Sequence, residues 1–288
     1  MESAEELNQR GLDLSAEGDA AGAEAAYRAA MAADPSWAAP VYNLGLLYKY
    51  QARWHESLEY NQRAAALEDQ HEAAWWNLGI AATALGDWLE ARRAWAQCGM
   101  NVPPGDGPPD FNFGSTPVRL DADGDGEVVW AHRIDPARAE ILSVPLPESP
   151  HNAGAIVLTD GAADGYRKVG QIEYPVFNVL AILHPSTLRK YIIELAAVDP
   201  AAVQVLERLA TEHGGAAEDW GRSTNILCAK CSRGVPHEHT NASDHPAHPH
   251  CGLAARDDDH AEAIIHDWLQ RESRADLIRW YDASASAA

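Results

Sequence analysis

Small and apolar residues recur along the first hundred positions with a period of 34 residues, in units that begin at Ala4, Ala38 and Glu72. Three columns of the aligned units hold only small residues, and these are Gly11, Gly45 and Gly79; Ala23, Ser57 and Ala91; and Ala30, Ala64 and Cys98. Between these columns, apolar residues return every three or four positions, which places them on one face of an α-helix. The pattern predicts two antiparallel helices in each unit, with their backbones close together at the small residues, and three units stacked as a solenoid.

This pattern resembles the tetratricopeptide repeat, and the resemblance covers roughly the first 100 residues. We expect residues 1–102 to form an all-α solenoid of three helix-turn-helix repeats. The resemblance implies a groove lined by the first helix of each pair, and solenoids of this kind bind other molecules and seldom catalyse reactions. The groove residues that it implies are Asn8, Leu12, Tyr42, Asn43, Leu46, Tyr50, Trp76, Asn77 and Ile80.

The implied groove carries amides and aromatic rings in place of cations. Family members that clamp the C-terminal carboxylate of chaperones use Lys and Arg at the positions held here by Asn8, Ala73 and Asn77. The resemblance therefore argues against a chaperone tail as the ligand. Amides would bond a peptide backbone and the rings would cover apolar side chains, so a protein or peptide is the expected partner. The alternative is that the aromatic rings pack against the chain's own linker.

Beyond residue 102 the pattern changes twice. The stretch 103–109 contains four prolines and two glycines, which predicts a linker over 103–120. Short β-type runs then precede helical ones, and this order predicts an α+β domain over residues 121–288. The predicted strands are 128–130, 139–144, 155–159, 172–183 and 191–195.

Two helices are predicted in this second domain. The first covers 200–213, because Pro200 suits the first turn and two glycines follow its end. The second begins at Asp259, with Glu262 as its capping-box partner. Its expected buried residues are Ile264, Ile265, Trp268 and Leu269.

The net charge and the hydropathy of the chain limit the binding partners and the cellular location that we expect. The formal net charge is −21, and such an acidic surface repels the phosphates of nucleic acid and of anionic membranes. The polar N-terminal segment does not read as a secretory signal, and no apolar run reaches the ~18 residues that a membrane span needs. We therefore expect a cytoplasmic protein that binds neither nucleic acid nor membrane. The pattern does not predict an oligomeric state.

The strongest chemical signal is a cluster of cysteines and histidines over 228–251. A Cys-x-x-Cys pair is the usual half-site of a structural zinc, and thiolate and imidazole favour Zn²⁺ over Mg²⁺ or Ca²⁺. Three thiolates and one histidine would fill a tetrahedral site, which predicts a structural ion. The candidate ligands are Cys228, Cys231, His237, His239, His250 and Cys251.

Two other readings of this cluster stay open. A zinc with an open position would make the protein a zinc-dependent hydrolase, and Glu238 is then the nearest general base. Surplus histidines would instead suit a metal sensor or a metal-delivery protein. The acidic stretch 121–126 resembles the start of a calcium loop, but position twelve of that loop is His132 instead of Glu, so we expect an acidic turn. The preferred prediction is a non-catalytic adaptor or scaffold with a structural zinc.

Overall fold

The computed structural model of the protein describes residues 2–121, 126–197, 199–223 and 250–283. The chain divides into two compact units. The first comprises Met1–Phe111 together with Ile134–Ala137, and the second comprises Asn112–Arg133 together with Arg138–Ala288. The N-terminal unit is helical and the other is rich in β-structure.

Six helices form the first unit, and their bounds are α1 Ala4–Ala16, α2 Ala20–Ala33, α3 Ala38–Tyr50, α4 Trp54–Leu67, α5 Glu72–Leu85 and α6 Trp88–Gln97. The helices α1, α3 and α5 begin at the residues where the three sequence units begin, which confirms the predicted period. Local signals set several of these starts. Ser3 and Glu6 form a capping box at α1, and Asp19 and Asp87 accept hydrogen bonds from the first turns of α2 and α6.

The small-residue columns lie where the two helices of a pair come closest. A Cβ atom added to Gly79 would lie 2.5 Å from the nearest ring atom of Trp95, and one added to Gly11 would lie 2.5 Å from the ring of Tyr27. In the second repeat Asn61 replaces the bulky ring, and its Nδ2 atom donates to the carbonyl of Ser57 at 2.8 Å. Glycine therefore occupies this column of the repeat because a side chain larger than a hydrogen atom does not fit at the helix crossings.

The second unit opens with a closed barrel of five strands, β1 Gly114–Arg119, β2 Val128–Arg133, β3 Arg138–Ile141, β4 Ile156–Val169 and β5 Ile172–His184. Consecutive strands pair antiparallel, and β1 closes the barrel by pairing parallel to β5. The barrel interior is apolar, with Val118, Ala131, Ile141 and Val157 buried. Residues 114–119 were predicted as linker; they form β1, because β2 pairs with that whole segment.

A four-stranded sheet of order β7-β8-β6-β9 follows, with β6 Arg189–Leu195, β7 Ala216–Asp219, β8 His250–Ala255 and β9 Leu277–Asp282. Helices α7 Pro200–Glu212 and α9 Asp258–Arg271 share one apolar cluster with β6 and β8, and a single turn, α8 Trp220–Ser223, follows β7. Trp268 lies in that cluster, and its indole N–H donates to the carbonyl of Ala202 at 2.8 Å. The second face of the sheet packs Ile192 and Ala254 against Val144 and Trp220.

Three details of the last helix correct the sequence prediction. The helix begins one residue earlier, and Asp257 is its N-cap, accepting from the backbone N–H of His260. Asp259 and Glu262 therefore do not form the predicted capping box, because the first of them lies inside the helix. Leu269 is 40% exposed, in contrast to the other three predicted core residues. No helix in the described ranges is long and apolar enough to cross a membrane.

Candidate functional site

Helices α1, α3 and α5 carry the three asparagines that the resemblance assigned to the groove, and Lys49, which was not predicted there, lies among them. The Nδ2 atom of Asn43 donates to Oδ1 of Asn8 at 2.9 Å, and Nζ of Lys49 donates to Oδ1 of Asn77 at 3.2 Å. These hydrogen bonds connect α1 to α3 and α3 to α5. Asn8, Lys49 and Asn77 are all buried, so the groove amides pair with groups of the same fold.

A cavity of about 480 Å³ lies between the first two repeats. Its lining is Leu12, Ser15, Ala16, Ala20, Tyr27, Asn43, Leu46, Leu47, Tyr50 and Gln51. None of these lining residues carries a formal charge at neutral pH. Two apolar side chains of the lining are open to solvent, Leu12 at 40% and Tyr50 at 62% of full exposure. The cavity can therefore accept apolar groups and a few neutral hydrogen-bonding groups.

The groove residues of the third repeat are more buried than the resemblance implied. Ile80 is completely buried and Asn77 nearly so. Trp76 is half-buried, and its ring meets that of Trp95 edge-on with centroids 5.4 Å apart. Tyr42 stacks obliquely on His71 with centroids 4.7 Å apart. Of the nine predicted groove residues, Leu12, Asn43, Leu46 and Tyr50 line the cavity.

Sequence reasoning missed six cavity residues. Ser15, Ala16 and Ala20 flank the turn from α1 to α2, and Leu47 and Gln51 lie at the end of α3. The sixth is Tyr27, whose ring packs against Gly11. No pattern in the sequence marked these six residues, because they come together only when three helices pack.

The spacing and the packing of the helix pairs indicate which kind of repeat forms the first unit. Three helix pairs begin 34 residues apart, and Gly11, Gly45 and Gly79 each face Tyr27, Asn61 or Trp95 of the second helix in the pair. The N-terminal helices have the architecture of tetratricopeptide repeats. These repeats span α1 to α6, about a third of the chain.

Comparisons with known proteins match this same third. No family model and no curated protein matches the chain. Three similar solved structures are the second TPR of Spaghetti (RPAP3) bound to the HSP90 peptide SRMEEVD, the first TPR of the same protein with the same peptide, and the Sgt2 TPR domain from Aspergillus fumigatus. Their identities to this chain are 25%, 23% and 20%, with TM-scores of 0.33, 0.33 and 0.32. They cover 34%, 33% and 33% of this chain, and 90%, 76% and 63% of their own lengths.

The predicted metal ligands divide between two parts of the chain. Cys228, Cys231, His237 and His239 lie outside the described residues, whereas His250 and Cys251 begin β8. In the part of the chain that the structure describes, no group of three or more His, Cys, Asp or Glu residues could hold a metal ion. The acidic stretch 121–126 is also largely outside the described residues.

His250 and Cys251 are adjacent in a strand, so their side chains point to opposite faces of the sheet. Cys251 packs in the apolar cluster under the helices, and burial raises the pKa of its thiol to about 12. His250 lies on the other face, with its Nε2 atom 3.7 Å from Oε1 of Glu194. Arg279 and Tyr281 donate to that carboxylate, and the hydrogen bonds from Arg279 lower the pKa of Glu194 to about 2.

Proposed function

We propose that this protein is a non-catalytic interaction protein whose tetratricopeptide repeats bind a peptide or protein partner. The observation that carries the proposal is the cavity between the first two repeats. It is concave, its walls are mainly apolar, and Leu12 and Tyr50 are open to solvent beside it. An exposed apolar surface in a groove is a feature of binding sites, because a folded chain otherwise covers such groups.

The test compares two double variants in quantitative affinity purification. Leu12→Arg with Tyr50→Ala changes the cavity, whereas Leu67→Arg with Leu89→Ala changes two similarly exposed residues, at 44% and 66%, that do not line it. We expect specific partners of the wild-type protein to be lost with the cavity variant and retained with the control. Equal retention by both variants would contradict a role for the cavity, provided that circular dichroism shows both to be folded.

We also propose that the cysteine and histidine cluster holds one structural Zn²⁺. The Cys-x-x-Cys spacing of Cys228 and Cys231 supports it. Because His250 and Cys251 point to opposite faces of β8, one ion takes at most one of them, and the packing of Cys251 in the core favours His250. Glu194 lies beside His250 as a carboxylate of the kind that orients metal-bound imidazoles. His237 or His239 would complete the site.

Metal analysis before and after chelation separates this site from the alternatives. A structural ion predicts one tightly bound zinc per chain, and its removal should unfold the second unit. A folded apo-protein whose zinc keeps a water ligand would instead favour a hydrolase. Several weakly bound ions lost on dilution would favour a metal sensor or delivery protein.

A further inference from the structure

We propose that the cavity between the first two repeats selects an extended peptide with one large apolar side chain flanked by lysine or arginine. This inference rests on the proposed function and adds the chemistry of the ligand. Three properties of the first unit carry it. They are the neutral and mostly apolar cavity wall, the fixed amide of Asn43, and the sign of the charges that adjoin the cavity.

The cavity wall provides the site for the apolar side chain. Leu12, Leu46 and Leu47 supply aliphatic surface, and Tyr27 and Tyr50 supply aromatic surface. The volume of about 480 Å³ is that of a small-ligand pocket, which commonly spans ~300–1,000 Å³. A leucine, methionine or phenylalanine side chain therefore fits with space for adjoining backbone. Burial of such a side chain drives association in the absence of charge pairing.

The amide of Asn43 provides the backbone contact. One of its N–H groups is engaged by Asn8 at 2.9 Å, which holds the side chain in one orientation. The Oδ1 atom is an acceptor, and a peptide N–H is the donor that every extended segment offers. Gln51 and Ser15 add neutral polar groups to the same lining. The site therefore recognises backbone without requiring a charged group.

The adjoining charges favour a basic peptide. Asp13, Glu17 and Asp19 are exposed, and each directly follows or precedes a lining residue in sequence. The nearby cations are already paired, since Arg53 binds Glu24 and Glu56 and Lys49 is buried against Asn77. The whole segment 1–111 has seventeen acidic and seven basic side chains. A flanking lysine or arginine is attracted to this rim, whereas an acidic peptide is repelled.

The same arrangement disfavours a peptide whose C-terminal carboxylate enters the groove. The first helices of the three pairs contain two cations, Arg10 and Lys49. Arg10 pairs with Glu2 at 2.7 Å, and the ammonium of Lys49 lies over the ring of Tyr50 and bonds Asn77. Because no cation lines the cavity, a terminal carboxylate placed there would lose its hydration without gaining a partner.

A displayed random-peptide library, sorted against the full-length protein, tests this inference. Selected sequences are then measured by fluorescence anisotropy as synthetic peptides with acetylated and amidated ends. We expect them to share one large apolar residue with Lys or Arg on either side. Leu12→Arg and Leu12→Ala should each weaken binding, the former by at least about tenfold, and raised salt should weaken it further. The matched control is Leu89→Arg, which alters an exposed leucine that does not line the cavity.

Each outcome bears on one of the two proposals. Selected peptides that are acidic, that need a terminal carboxylate, or that bind Leu12→Arg unchanged would overturn this inference and leave an interaction function intact. Loss of binding on replacing the apolar residue by alanine, together with loss on replacing the flanking lysines by glutamate, would support it. A library that yields no binders above an unrelated control protein, together with no partner in affinity purification, would overturn both.

Discussion

Replacement of Gly79 by alanine tests the close helix crossing on which the repeat assignment depends. Gly79 lies in the middle of α5, where alanine is the better helix former by ~1 kcal/mol. An added Cβ atom would lie 2.5, 2.6 and 2.7 Å from three ring atoms of Trp95. Real Cβ atoms do not come that close to carbon, so either the ring or the helix must move.

The surroundings of Trp95 decide the net effect. Its ring is fully buried and stacked edge-on against Trp76, so it has no space into which to retreat. Overpacking of a rigid core costs ~1–3 kcal/mol, and contact with three atoms at once places this substitution at the upper end. After the gain in helix propensity, Gly79→Ala should destabilise α5 and α6 by about 2 kcal/mol.

Hydrogen exchange of the amides in α5 and α6 measures this loss in the unit where it occurs, independently of the second unit. The matched background is Trp95→Leu, which removes the ring. There the clash is absent and the added methyl group should stabilise α5 by up to ~1 kcal/mol, and the difference between the two backgrounds gives the coupling energy. Unchanged or slower exchange in Gly79→Ala would refute the close crossing, and an equal loss in both backgrounds would assign the cost to another contact.

Three further substitutions test the second unit. Asp257→Ala should destabilise the last helix by ~1 kcal/mol in thermal unfolding, whereas Glu262→Ala should leave it unchanged, because the structure places the N-cap at Asp257. Burial raises the pKa of Glu127 from 4.5 to about 7, so the stability that its protonated form provides is present below pH 4.5 and is lost as pH rises through 7. Glu127→Gln keeps the hydrogen-bond acceptor, and it should match the wild type at pH 4.5 and exceed it by roughly 1–3 kcal/mol at pH 8 in urea titrations. Arg119→Met should destabilise the barrel by ~1–3 kcal/mol, because it removes the buried guanidinium that donates to the half-buried Asp164 carboxylate and Asn178 amide oxygen, whereas the control Arg189→Met at an exposed ion pair should cost less than ~1 kcal/mol in the same assay.

The helical unit was predictable because its information is local. Glycine columns and capping residues lie within single helices, and helix α7 likewise follows from Pro200 at its start. Several strands were missed because their short sequences carry no strand pattern of their own. Strand β7 has the sequence Ala-Ala-Glu-Asp, which has no β-propensity, and it exists because β8 pairs with it. Strand β1 contains Pro117, a residue that argues against a strand. It is tolerated there because β5 pairs only with Val118 and Arg119 of β1.

The candidate site was predictable only in part, for a related reason. The resemblance to the tetratricopeptide repeat implied Leu12 and Tyr50, because in that family the first helix of each pair lines the groove. The cavity itself is formed by residues of α1, α2 and α3 together, and small residues such as Ala20 mark an opening only when the neighbouring helix is in place. Burial of Ile80 is likewise a tertiary property that helical position does not determine.

The polar contacts across the groove limit how tightly a single peptide side chain can bind. Asn43 donates to Asn8 and Lys49 donates to Asn77, so these side chains connect the repeats and contribute few new hydrogen bonds to a ligand. Affinity must then come mainly from apolar burial, and one buried side chain provides ~1.5–3 kcal/mol. A dissociation constant of 1 μM corresponds to about 8 kcal/mol. A peptide with one anchor in the cavity is therefore expected to bind more weakly than micromolar, and a tight natural partner must bury a second surface at the same time.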